Sequence, residues 1–598
     1  MNAFKPKVVA AVDFGTHGTG FAWSVVSALN DDPMTRRVTF NTRHAGTRVD
    51  YPKDLTTILV DQEGGLVAVG HRARKEWAKA ADAGNPAGLG YAYAFKMALK
   101  EGGALPDLPM VGGTVSLAGL DRVRRLIAAY LGEVRRMALA EIGAAGYTEA
   151  EIRWCITVPA IWDEDDKAVM RAAAADAGFP ADDDRLLLSI EPEAAALYCY
   201  LRMADLADGS GQEERLGLHL DGTRFMVIDC GGGTVDITAY ESSSGATEHI
   251  ALKEIGVATG GRLGSEYINQ AFRANVLAER FGAEAMGRIE RENATDLLKL
   301  SEAWEHEKTT AEVEWGADGS PHIVDPVMID LLHTTWEMLD DATRATLTDE
   351  AAGKALLLEM TPAEVEALFE TVTAGIVEKV EEQLANMRRT AGPAPGPETL
   401  VVVGGFAKSA WLQTALRRKF GDQHRILVPQ NPALAVMEGA VHYAYNPAAL
   451  VSRQSKYTYG FAIAEPWEAG VDSPMRKFRD DDGHMLCAGR YKIAVRRMDR
   501  VGVDEPFGFV VAPTMAEQAE IEVQLFRTRK TDPRYVDEEG CEQIGQMTVD
   551  VSDSIGSPPA KRPIQLLLYF GRSHIQVEAF NPATSEETKV GVEFERML

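Results

Sequence analysis

Hydrophobic positions fall in two rhythms along this chain. Near the N-terminus they form short unbroken runs. Val8–Val12 is continuously apolar, as expected of a strand buried on both faces, and Phe21–Val26 reads the same way after the turn DFGTHGTG. Residues 225–240 repeat the plan as FMVID, CGGGT and VDITAY. In each copy an Asp closes the first run and a Gly follows two residues later (Asp13/Gly15 and Asp229/Gly231). The flanking runs match as well as the turns. This pattern predicts an internal repeat, two related lobes facing one cleft.

Between the copies the rhythm becomes helical. Asp121–Ile142 places Val123, Leu126, Ile127, Tyr130, Leu131 and Val134 on one face, an amphipathic helix. Glu151–Val158 reads as a strand ending at Pro159, Asp163–Ala177 as an alanine-rich helix closed by Gly178, and Leu186–Ile190 as a strand. Pro192 opens a further helix, and Gly209–Gln212 is a loop. Beyond residue 260, helices are expected over Ala271–Phe281 and Asp296–Lys308. Thr361-Pro362-Ala363-Glu364 is a capping box that starts a helix running to about Met387. After a loop at 391–398 come a strand (Leu400–Val403), a glycine turn (GGFAKS), a helix (Ala410–Phe420), a short strand (Arg425–Val428) and a helix in NPALAVMEGA.

Past about residue 447 short alternating runs take over: Tyr457–Ile463, Tyr491–Val495, Phe507–Ala512, Glu520–Phe526, Gln546–Val551, Ile564–Phe570 and Ile575–Phe580. Turn residues separate them, which predicts an all-β sandwich. The expected fold class is α/β. A two-lobed domain over 1–446 precedes a smaller β-rich domain over 447–598.

Composition narrows the function. With 45% hydrophobic and 25% charged residues in 598, the chain is globular and long enough for several domains. Lys+Arg number 62 against 89 Asp+Glu, a formal net charge of -27. That balance argues against a broad nucleic-acid surface or an anionic membrane, while leaving room for a basic pocket around a small anion. The cysteines at 155, 199, 230, 487 and 541 are widely spaced, with no CxxC. This disfavours a disulfide framework or zinc site and suits a reducing cytosol. Val8–Val12 is too short for a signal-peptide core, and no run approaches the ~18 apolar residues of a membrane span. A soluble, cytoplasmic protein is expected.

The candidate chemistry lies in the two glycine turns. A phosphate tail needs converging backbone N–H groups, and Gly15, Thr16, Gly18 and Gly231–Gly233 let the main chain come close. Hydroxyls of Thr16, Thr19 and Thr234 add hydrogen bonds. Asp13, Asp229 and Asp236 would repel phosphate on their own, and make sense around a hydrated Mg²⁺. By residue type alone, Lys96 also reads as a solvated helix lysine, Glu191 as a helix-start carboxylate and Asp236 as an outward strand residue. His17 reads as a spacer able to reach phosphate, His306 as a solvated helix residue, Trp304 as core, and Asp163–Asp166 as a helix start.

DFGTHGTG, DCGGGTVD and VVVGGFAKS resemble the two phosphate loops and the adenosine loop of the actin/sugar-kinase/heat-shock-chaperone ATPase fold. ITVPAIW (156–162), IEPEAAALYCY (190–200) and NPALAVMEGA (431–440) resemble the heat shock protein 70 (DnaK-type) family, over about residues 7–446. FKMALK, WEHEK, the SRQSKYTYG transition and the missing lid resemble its atypical 70 kDa protein 12A-like branch. The resemblance implies ATP or ADP with Mg²⁺ as cofactors, and Asp13 and Asp229 holding the metal through waters. It implies that Lys96 reaches the γ-phosphate and places the attacking water, that Glu191 binds that water or a metal-bound one, and that Thr234 touches the γ-phosphate. Asp236 would help position water or metal. Gly15, Thr16, His17 and Gly231–Gly233 would form the phosphate loops. Glu305 and Lys308 would grip ribose and adenine, and Gly404, Gly405 and Lys408 would lie against the nucleotide.

The chain departs from the family pattern at Thr309 and Lys408, where an arginine is usual, and at Ala433, where an aspartate is. Lysine cannot stack on a base as a guanidinium does. Pro159 and Lys167 match the residues by which the family couples nucleotide state to its second domain. The segment NPAALVSRQSKYTYG lacks the family's leucine-rich linker. A peptide clamp of the usual kind is therefore not expected. A client added at a sheet edge remains open. The expected function is a slow ATPase whose nucleotide state switches a chaperone-like or regulatory protein. The alternatives are a small-molecule kinase of the same fold, and a non-catalytic nucleotide sensor or actin-like assembly protein.

Overall fold

The structure, a computed structural model, describes residues 4–48, 50–82, 88–99, 120–202, 218, 220–243, 251–316, 321–394, 396–572, 574–581, 586–590 and 593–594. The loop expected at Gly209–Gln212 lies outside these residues. The fold is mixed α/β with several sheets.

Two of the sheets are built on one plan. In the first, strand Val8–Phe14 pairs antiparallel with Gly18–Val25 and parallel with Ile152–Val158, which pairs parallel with Leu186–Ile190. In the second, Arg224–Cys230 pairs antiparallel with Val235–Ser242 and parallel with Thr399–Val403, which pairs parallel with Arg425–Leu427. Each glycine turn is the tight connection of an antiparallel pair, and each Asp stands at the end of the strand entering it. Asp13 faces Gly20 across the ladder, and Asp229 faces Asp236.

The unbroken apolar runs have a direct physical reason. Val8, Ala10 and Val12 point into a core shared with the helices Leu120–Ala144 and Glu164–Asp176. Val9 and Ala11 point the other way, into a core shared with Phe225, Val227, Val401 and Val403 of the second sheet. The helices Glu191–Arg202 and Ala435–Tyr445 fill that middle layer. Ala194–Ala196, Gly439 and Ala440 keep them slim, so two helices fit between two sheets. The second sheet's other face packs on helices Ala294–Thr310, Pro362–Ala391 and Ala410–Phe420. The Thr361 capping box forms as the sequence predicts.

Two local expectations differ. The helix expected over 271–281 begins at Glu266 and is interrupted by a π turn at Arg273–Leu277 before Ala278–Phe281. GGFAKS winds into a 3-10 turn over Gly405–Lys408. The small sheet of Thr57–Asp61, Leu66–Val69 and Leu89–Tyr93, with helix Gly70–Asp82, was not evident from periodicity.

After residue 450 the chain forms two antiparallel sheets. One contains Thr458–Pro466, Met485–Val495, Glu520–Thr528 and Cys541–Asp550, the other Phe507–Val511, Ile564–Tyr569 and Gln576–Asn581. Phe461, Val523, Leu525 and Met547 of the first and Ile564, Leu566, Leu568 and Val577 of the second share one core. Leu450–Gln454 belongs to neither. It runs parallel to Leu252–Glu254 at the edge of the sheet that carries Asp229, and Arg500–Gly502 pairs with it in turn. Backbone hydrogen bonds thus stitch the later chain to the earlier sheet. Among the described residues no helix is long and apolar enough to cross a membrane.

Candidate functional site: a cleft between two glycine turns

The two turns face one another across a cavity of about 750 Å³, within the range of small-molecule sites. Its wall includes Asp13, Gly15, Thr16, His17, Lys96, Glu191, Asp229, Gly231–Gly233, Thr234, Glu305, Lys308, Gly404, Gly405 and Lys408. Asp236 does not line it. Its carboxylate is buried beneath and accepts a hydrogen bond from the Ile161 amide at 2.9 Å. The turns are close enough to require glycine. A Cβ on Gly232 would stand 2.4 Å from His17 Nδ1. Gly404 has φ of +88°, and a Cβ there would meet Cys230 O at 2.3 Å and Asp229 Oδ1 at 2.6 Å.

Charge is concentrated at the cavity floor. Lys96, on a 3-10 turn at Phe95–Leu99, is buried and holds Glu191 Oε1 at 2.5 Å. It also lies 5.5 Å from the Trp162 ring centroid and 5.7 Å from that of Phe14. Burial, with help from Asp236 and Asp13 and against the pull of Lys96, raises the Glu191 pKa to about 7. Burial and the neighbouring Glu191, Asp236 and Asp13 push the Asp229 pKa well above the carboxylate range, and burial raises that of Asp236. Asp13 accepts from Thr157 Oγ1 at 3.0 Å through Oδ1. Its buried Oδ2 receives no well-directed hydrogen bond and faces the Lys53 ammonium at 2.6 Å. Crowded carboxylates with an oxygen turned on a cation suit a positive ion, so the donor set of Asp13 and Asp229 fits Mg²⁺ on chemical grounds.

A chain of polar contacts links His17 to Glu305 and Lys308. His17 Nε2 lies 2.8 Å from Glu266 Oε2, which also accepts from Asn269 at 2.9 Å. Burial opposes protonation of His17, but the Glu266 hydrogen bond and charge outweigh it and raise the His17 pKa. Asn269 donates to Glu305 at 3.0 Å and accepts from Lys308 at 2.9 Å, and Lys308 holds Glu305 at 2.6 Å. Trp304 is core, stacked on Phe272 at 4.8 Å, but its indole N–H also donates to Asn269. His306 is exposed, as expected of a solvated helix residue.

The same elements reach the later chain. Two residues beyond Glu191, Glu193 forms a buried two-point ion pair with Arg453 at 2.6 and 2.7 Å. Asp163, N-cap of the helix after ITVPAIW, holds Lys456 at 2.7 Å. Lys167 pairs with Glu164 at 3.0 Å, and Glu164 accepts from the Ile575 amide at 3.3 Å. Glu254 accepts from the Gln454 amide at 2.8 Å, and burial lifts its pKa to about 8.

No protein-family model matches the chain. Human heat shock 70 kDa protein 12A is 27% identical over 643 residues, covering 98% of this chain and 91% of its own. Mouse heat shock 70 kDa protein 12A aligns over the same span at 27%, and human heat shock 70 kDa protein 12B over 651 residues at 27%. Over nearly its whole length the chain is thus similar to these atypical heat shock 70 proteins. Thr309 and Lys408, the two departures from the family pattern, both line the cavity. Phe369 and Trp411 line it as well, and their rings stack at 4.6 Å with an 18° tilt.

Lys53, Phe369 and Trp411 are among the cavity-lining residues that sequence reasoning missed. Phe369 and Trp411 sit at ordinary core positions of their helices. Lys53 lies in YPKD, where no periodicity announces a strand, yet Asp54–Leu55 pairs with Gly18–Thr19 and delivers the lysine to Asp13.

Proposed function

We propose that the cleft binds an adenine nucleotide and hydrolyses ATP slowly, and that the bound state is transmitted to the chain beyond residue 447. In this reading residues 1–446 form a two-lobed actin-like ATPase domain, and 447–598 a β-rich domain that resembles a substrate-binding domain without its lid. The observation that carries it is the pair of matching sheets, each ending in an Asp–glycine turn, with the Lys96–Glu191 pair between them.

The turn amides of Gly15–Gly18 and Gly231–Gly233 would cradle the phosphates, with Thr16 and Thr234 adding hydroxyl donors. A Mg²⁺ ion arriving with the nucleotide would be held by Asp13 and Asp229 through its waters and would offset phosphate charge. Lys96 would meet the γ-phosphoryl group. Glu191, with a pKa near neutrality, is suited to hold the attacking water and take its proton as the bond to the ADP oxygen breaks. Asp236 would act from below, by fixing the Ile161 amide and hence the Trp162 turn that packs on Lys96. Glu305 and Lys308 would hold the ribose, and the base would lie toward Gly404, Gly405, Lys408 and Trp411. Glu191 and Glu193 sit on one helix start, so closure of the cleft on ATP would pull on Arg453. A client or regulated protein would meet the later sheets, in the cytoplasm.

The test is equilibrium titration with ATP and ADP, with GTP and free phosphate as comparisons, alongside measurement of phosphate release. Saturable one-to-one binding of adenine nucleotides with slow release supports the proposal. No heat of binding and no change in melting temperature at millimolar ATP rejects it.

A further inference from the structure

Lys53 is held on Asp13 by more than a chance surface contact. Its side chain is 17% exposed, and Asp13 is 4% exposed. The backbone that carries it is fixed on the first glycine turn: Leu55 pairs with Gly18, and Asp54 with Thr19. Asp54 accepts hydrogen bonds from its neighbour Leu55 at 2.8 Å and from the His71 amide at 2.9 Å, and His71 Nδ1 lies 2.5 Å from it. The turn makes room for the arm. A Cβ on Gly20 would meet Pro52 O at 2.3 Å and Lys53 Cγ at 3.2 Å.

We infer that Lys53 is a built-in cation for the phosphate tail, which lets this cleft bind a nucleoside polyphosphate without Mg²⁺. The inference rests on the reading of the cleft as a nucleotide site. An ammonium on a fixed stem neutralises Asp13, removes the repulsion that a bare carboxylate would impose on phosphate, and keeps donors for a phosphate oxygen. A hydrated divalent ion held on Asp13 competes with this ammonium for the same carboxylate, so Mg²⁺ adds less to affinity here than where the carboxylates stand bare.

The experiment is calorimetric titration of the full chain with ADP, in EDTA and in excess Mg²⁺, for the wild type and for Lys53→Met, which retains an apolar stem over Gly18 and Gly20. The wild type is expected to bind in EDTA within about tenfold of its Mg²⁺ affinity. Lys53→Met should lose at least about tenfold in EDTA and recover when Mg²⁺ is added. The wild-type comparison decides even if the variant does not fold. Wild-type binding that vanishes in EDTA, or a Lys53→Met chain that binds equally well in EDTA, overturns the inference and leaves the nucleotide reading intact. No binding under any condition overturns both.

Discussion

Replacing Arg453 with Met removes one side of the buried ion pair that joins the Glu191 helix to the later chain. Arg453 is 9% exposed and Glu193 3%, and the two contacts at 2.6 and 2.7 Å are those of a guanidinium fork on a carboxylate. Arg453 also donates to the Gly571 carbonyl, so its loss frees a loop of the later sheets as well. Deleting one partner of such a pair strands a desolvated charge, which costs about 3–5 kcal/mol. Tyr240 and Glu254, the groups that share this junction with Glu193, carry no positive charge to replace that of Arg453. The double change Arg453→Met with Glu193→Met removes both charges and should recover most of that loss, because a buried pair exchanged for apolar groups is often close to neutral. Urea unfolding followed by tryptophan fluorescence measures the midpoints, and the double-mutant cycle isolates the pair. A single-variant cost below about 1 kcal/mol, or a double variant as unstable as the two single changes combined, would refute the view that this pair holds the junction.

Glu254 supplies a pH test at the same junction. Its folded pKa of about 8 lies above its ordinary 4.5, so its contribution favours folding fully below about pH 4.5 and is lost as pH rises through 8. Glu254→Gln should raise the melting temperature at pH 8–9, with the gain shrinking toward pH 5; equal shifts at both ends would contradict the assignment. Lys96→Ala should slow phosphate release at least tenfold while changing ADP affinity little, because its contact is made to the group being transferred. Unchanged turnover would remove Lys96 from the proposed mechanism. Gly404→Ala forces a Cβ at φ +88° against Cys230 and Asp229, and should cost about 1–3 kcal/mol in thermal unfolding and weaken nucleotide binding. A wild-type melting curve would show that the loop has more room than these distances allow.

Much of the first half of the chain was legible because its signals are local. A strand buried on both faces must be apolar throughout, and Val8–Val12 is; a tight phosphate turn must be glycine-rich, and both are. The two-sheet repeat followed from comparing those runs. The misses are places where partners lie far off in sequence. Leu450–Gln454 looks like linker until its mate, Leu252–Glu254, is known. Lys53 looks like any surface lysine until Gly18–Thr19 draws its backbone across the turn. Phe369 and Trp411 satisfy the helical core pattern, and nothing local distinguishes a ring that also borders a cavity. Asp236 shows the converse: its place in DCGGGTVD puts it in the motif and opposite Asp229, but its buried carboxylate is taken up by the Ile161 amide and does not line the cavity.

Hydrogen exchange of the full chain, with ATP, with ADP and without nucleotide, tests the account most directly. The account predicts slowed exchange at the turns Gly15–Gly18 and Gly231–Gly233 with either nucleotide, and an ATP-specific change at 450–460, where the later chain joins the Asp229 sheet. Protection confined to the turns would leave a nucleotide site with no switch. Exchange unaltered at the turns themselves would contradict the central claim that this cleft binds the nucleotide.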